Sequence, residues 1–159
     1  MHTIGILERG GSLSAFLSAH LPPDLLEEAD LCPAGSLAAG EVLDLLVVSP
    51  DLGREVPRVP PCRAMLVPGR LSHLAGEVSA AWAVSFGLSP RDTLTLSSLG
   101  EETILLALQR EIISLAGDRL DPQEFPLDRK DHTALCQVLA CVGVQLLLGV
   151  EPGQVRLSP

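Results

Sequence analysis

The chain has 159 residues, 47% of them apolar and 19% charged, with a formal net charge of −9 at pH 7. A chain of this length and mean hydropathy (+0.34) can bury a core without staples, which excludes a disordered polymer. Acidity repels phosphate backbones, and the few aromatics (Phe16, Trp82, Phe86 and Phe125) offer no stacking platform, so nucleic acid is not an expected partner.

Taken in chain order, residues 3–7 form a short apolar run that meets a turn at Gly10, Gly11 and Ser12. Beyond it Leu13, Phe16, Leu17 and Leu21 recur at helical spacing until Pro22 and Pro23 stop them, with Ser12 as the expected N-cap. Residues 25–40 are mixed in character, with Glu27, Glu28 and Asp30 solvated and a turn around Pro33 and Gly35. The run 42–49 (VLDLLVVS) is continuous enough for a strand covered on both faces. Residues 50–61, rich in proline and charge, read as a surface loop, and 63–67 as a second buried strand stopped by Pro68 and Gly69. A short helix is expected over 71–81 and a strand over 82–86.

The texture then changes. Residues 93–97 alternate as a half-buried strand. The run 103–113 reads as a strand entering a hairpin that returns near 123–127, although its Leu, Ala, Gln, Arg and Glu content also suits a helix. A closing helix over 131–148 is expected, with Asp131 as N-cap and Gly149 as its stop. The pattern predicts one α/β domain over 1–159: strand–helix units over 1–90, a β-rich patch over 91–130 and a closing helix over 131–150. Its sheet should be mainly parallel with flanking helices.

No basic segment followed by a long apolar run opens the sequence, so a cytoplasmic protein is expected. The run 134–150 falls short of the roughly 20 residues of a membrane span and carries Gln137, Gln145 and two glycines; a buried helix and no membrane association are expected. Cys32, Cys62, Cys136 and Cys141 lack metal-ligand spacing and read as reduced thiols; Cys62 is the one with a neighbouring cation, Arg63. His2, His20, His73 and His132 are scattered, so no metal site is expected; His132 beside Asp131 reads as an acid–base pair or as a helix-start residue. No GxSxG elbow nominates a nucleophile. Gln109, Arg110 and Glu111, with Gln123 and Glu124, form a polar cluster on the hairpin, read as a solvated face or a binding surface.

Three stretches in order carry a family resemblance. They are Ile4-Gly5-Ile6-Leu7-Glu8-Arg9-Gly10-Gly11-Ser12 with the helix after it, Asp44 through Ser49-Pro50-Asp51-Leu52, and the stretch from Val84-Ser85-Phe86-Gly87 through Asp131-His132 to Leu148-Gly149-Val150. Together they resemble the central ATPase domain of the Mur ligases, the ATP-dependent ligases that add amino acids to UDP-N-acetylmuramic acid. The resemblance implies a nucleotide-binding α/β domain in degenerate form. Where the family has a lysine after the glycines this chain has Ser12 and Leu13, and its single lysine is Lys130. The family's histidine after the second strand is also missing, because Leu52 follows Asp51. A phosphate cradle needs backbone N–H groups, a lysine and a hydroxyl on Mg²⁺. ATP hydrolysis is therefore not expected, and no cofactor is.

Two readings of function remain. One is a non-catalytic binding or scaffolding protein with another protein as partner. The other is a small enzyme holding an anionic metabolite at the helix end formed by Arg9, Gly10, Gly11 and Ser12, with Ser49, Pro50, Asp51 and Gly69 lining the crevice. Glu8, beside the turn, would repel such an anion.

Overall fold

The computed structural model describes residues 1–53, 58–77, 80–129 and 133–159. The fold is α/β. Among these residues, strands β1 (His2–Leu7), β2 (Ala29–Pro33), β3 (Leu43–Val48), β4 (Cys62–Pro68), β5 (Ala80–Phe86), β6 (Leu94–Leu99) and β7 (Thr103–Leu108) enter one sheet. A two-residue pair, β8 (Ile112–Ile113) and β9 (Arg119–Leu120), stands apart, and β10 (Gln123–Asp128) completes the sheet at its far edge. The order across it is β2-β1-β3-β4-β5-β6-β7-β10. Pairing is parallel from β2 to β6 and antiparallel between β6, β7 and β10.

Burial explains which strands were legible. In β3 and β4 side chains on both faces are covered, so Leu45 and Val47 point to one core while Leu46 and Val48 point to the other. The first core lies under α1 (Ser12–His20) and α3 (Leu135–Leu147); the second lies under the 3₁₀ turns Ala34–Ser36 and Gly69–Gly76. The segment expected to be mixed holds α2 (Pro23–Glu28), which Pro23 opens at a position where its missing N–H costs nothing, and then edge strand β2. That strand was missed because it is half-exposed and carries Asp30 and Pro33, both poor strand residues.

Three other expectations change. The helix expected over 71–81 is the 3₁₀ segment Gly69–Gly76, residues 78 and 79 lie outside the described residues, and Ala80 and Ala81 belong to β5. The run 103–113 is strand, as favoured over helix, but it breaks after Leu108 and resumes as β8; β10 is the expected return. The closing helix begins at Leu135 behind Ala134, which has a left-handed φ of 53°, so it starts four residues later than expected; Asp131 and His132 lie outside the described residues. Its end is as read. Gly149 at φ 96° lets its N–H reach Leu146 O (3.1 Å) while Val150 N–H reaches Gln145 O (3.0 Å), satisfying the last carbonyls.

Gln145 is fully buried in α3 and serves the backbone of the tail: its amide donates to Arg156 O (2.8 Å) and accepts from Arg156 N–H (3.1 Å). Further along, Ser158 N–H donates to His20 O at 2.7 Å, at the end of α1. Among the described residues no helix is long and apolar enough to cross a membrane. Gln145→Leu strands both Arg156 groups, so we expect a loss of about 1–3 kcal/mol, read as a lower denaturant midpoint, with faster proteolysis of the tail.

Candidate functional site

The polypeptide leaves β1 at Leu7 directly beside Val48, the end of β3. With β2 on one side of β1 and β3 on the other, successive connections depart in opposite directions, and crevices form at the carboxyl ends of strands at such a switch point. Gly11 makes the turn at φ 79°, a left-handed conformation costly for a residue with a Cβ, and α1 begins at Ser12.

The first turn of α1 has N–H groups with no partner inside the helix. Ser12 does not cap them, contrary to expectation, because Gly11 occupies the cap position and Ser12 is already helical. Glu8 does so instead: its Oε2 accepts from Leu13 N–H (2.9 Å) and Ser14 N–H (3.1 Å). A carboxylate here is also favoured by the helix dipole. Asp51 fills the turn from the other side, its Oδ1 accepting from Arg9 N–H (3.2 Å) and its Oδ2 from Gly10 N–H (3.1 Å). Partial burial pushes the Asp51 carboxyl up, but the Ser49 hydroxyl, those two N–H groups and the Arg9 charge outweigh it and hold it below the usual carboxylate value.

The rest of the carboxyl edge is held in the same manner. After β4, the Arg70 guanidinium donates to the carbonyls of Pro50 and Leu52, fixing the loop that carries Asp51. Asp92 is 4% exposed, and its carboxylate lies so close over Gly69 and Gly87 that a Cβ at either would collide with it. Gly69 is thus taken by Asp92. The Gln109 amide donates to Pro90 O (2.9 Å) and Asp92 O (2.6 Å), and Arg110 donates to Arg91 O (2.8 Å) and Thr93 Oγ1 (3.2 Å). These two members of the expected polar cluster therefore secure the turn before β6. Of the others, Glu111 pairs with Arg119 at 3.8 Å and Glu124 accepts from Ser97 Oγ at 2.7 Å.

Within this edge lies a cavity of about 290 Å³. Ser12, Ser49, Pro50 and Asp51 form one wall, without Gly69; Ala134, just before α3, and Cys136 and Gln137 in its first turn form the other. Arg9, Gly10 and Gly11 stand beside the cavity, the first two joined to it through Asp51. The wall from α3 was not legible, since only tertiary packing brings that turn to β1 and β3. A second cavity, about 250 Å³, lies across α1 and includes Glu8, Ser14 and Cys32 in its lining.

No group of His, Cys, Asp and Glu suited to a metal ion occurs among the described residues. Nor does Arg63 activate Cys62: its guanidinium donates to Asp44 Oδ1 (3.3 Å) and Leu115 O (2.8 Å), and burial pushes the Cys62 thiol up to about 11. Burial likewise raises Cys141, to about 12. Cys136 is raised by burial and by the Asp92 charge, with Arg70 acting in opposition. Compared with known protein families and curated proteins, the chain matches no family model and no curated sequence.

The capping geometry orders three substitutions. Glu8→Ala should cost about 0.5–2 kcal/mol by exposing two helix donors, Gly11→Val about 1–3 kcal/mol through backbone strain, and Ser12→Ala within about 0.5 kcal/mol of nothing; denaturant midpoints check the order. For the thiols, a disulfide reagent at pH 8 should titrate half-buried Cys32 and Cys136 in the native protein, and buried Cys62 and Cys141 only after denaturation.

Proposed function

We propose that the chain is a non-catalytic binding or scaffolding protein, a degenerate counterpart of the Mur ligase nucleotide domain that keeps the α/β frame without the phosphate machinery. Its crevice at the switch point of the sheet is the binding site in this reading. The observation that carries it is the occupancy of the glycine turn: the N–H groups of Arg9, Gly10, Leu13 and Ser14 all bond to Asp51 or Glu8. In a phosphate cradle such donors face the ligand, and a lysine reaches the outer phosphates. Here two carboxylates take the place of the anion, and the chain's single lysine, Lys130, is remote from the turn in sequence.

The rival expectation, an enzyme acting on an anionic metabolite at the same helix end, would face two carboxylates that already hold four of the donors there. Arg70, the cation across the crevice, is spent on two carbonyls. The resemblance by itself lends no activity, because fold and function separate readily. Partner, compartment and the absence of nucleic acid from its function belong to the same proposal.

The test is direct. Purified protein with Mg²⁺ and ATP should release phosphate no faster than buffer, and ATP, ADP or inorganic phosphate should leave the melting temperature unmoved, because a ligand stabilises only the state that binds it. Turnover above the blank that a Gly11→Val substitution abolishes would overturn the reading.

A further inference from the structure

The groups left free in the crevice between Asp51 and α3 define a ligand class, given the reading of this crevice as a binding site. Four N–H groups around the glycine turn, those of Arg9, Gly10, Leu13 and Ser14, bond to carboxylates, and the Asp51 carboxylate adds acceptors to the wall. Each Asp51 carboxylate oxygen accepts one backbone N–H and retains capacity for another donor. The Ser12 hydroxyl on the same wall and the Gln137 amide on the opposite one can both donate and accept, and neither side chain is bonded to another group among the described residues. A free phosphate would meet the Asp51 charge, with the guanidinium of Arg70 already engaged. A cationic ligand would compete with Arg9, whose charge already acts on Asp51.

What fits is a neutral group that both donates and accepts. We propose that the crevice between Asp51, Ser12 and Gln137 binds the hydroxyls of a neutral sugar ring, two adjacent hydroxyls donating to the Asp51 carboxylate while Ser12 and Gln137 bond the remaining oxygens. The cavity volume of about 290 Å³ matches one ring rather than a nucleotide. A ring of this kind occurs free or as the ribose of a nucleoside, and the shared chemistry is the pair of hydroxyls.

The experiment is calorimetric titration of the full chain with D-ribose, D-glucose, uridine and inorganic phosphate, repeated on Gln137→Leu, Ser12→Ala and the distant control Ser97→Ala. At least one of the three hydroxyl-bearing probes should bind and phosphate should not. Gln137→Leu should weaken that binding about tenfold, the scale of one lost hydrogen bond with its partner left unpaired, and Ser97→Ala should leave it unchanged. Binding of uridine alone identifies a nucleoside; binding of a free sugar identifies a saccharide. Silence with all three, binding that survives both crevice substitutions, or phosphate binding as tight as sugar overturns the proposal. The first two failures leave the non-catalytic reading standing, whereas phosphate binding counts against both.

Discussion

Two carboxylates fill the glycine turn, and the organisation of the sheet's carboxyl edge follows from that. A tight strand-to-helix turn concentrates backbone N–H groups that need partners. A ligand can supply them, and then the turn is a binding site; here Glu8 and Asp51 supply partners for four of them from within. Asp51 can do so only because parallel pairing sets the end of β3 beside the end of β1. Its loop must then be held at a fixed height. Arg70 does this by bonding to the carbonyls of Pro50 and Leu52, extending the polar linkage from β1 through β3 to β4.

This arrangement separates two properties that usually come together in doubly wound proteins. The switch point still produces a crevice, because strand order sets the carboxyl ends of β1 and β3 side by side and α3 packs across them. The electrostatic character of the crevice depends on a few side chains, and those have been set against anions. Bonded to four N–H groups, the carboxylates repel an incoming phosphate and take up those four donors. Strand order and the charge of the crevice are thus set by different residues.

Strands β3 and β4 were legible in the sequence because both their faces are buried, which writes a continuous apolar run. The glycine turn and the Gly149 stop were legible because a positive φ restricts residue choice at those points. Edge strand β2 was not, since a strand covered on one side has no such run and tolerates Asp30 and Pro33. The 3₁₀ segment Gly69–Gly76 shares apolar spacing with a short helix, and backbone hydrogen bonding decides between them. For the site, Ser12, Ser49 and Asp51 could be placed from the ends of recognisable strands. Gln109 and Arg110 could not, because their bonds run to carbonyls of the 90–93 turn, and a carbonyl leaves no mark on residue identity. Glu8 was read as a charge that repels anions; its role as a helix cap needed the turn's geometry.

The antiparallel extension has a part in the same construction. Strands β6, β7 and β10 enlarge the surface on which α3 lies, with Ile104, Leu106, Phe125 and Leu127 in the same core as the buried face of that helix. The segment joining β7 to β10 also grips the helix end, where Leu115 N–H donates to Leu147 O at 2.8 Å. With its far end held there and its tail fastened through Gln145, α3 delivers Ala134, Cys136 and Gln137 to the crevice at the opposite end of the sheet. Meanwhile Gln109 and Arg110, just past β7, hold the turn that seats Asp92 over Gly69 and Gly87. The patch after β5 therefore acts on the crevice through the helix that walls it, and on the same carboxyl edge through the turn that seats Asp92.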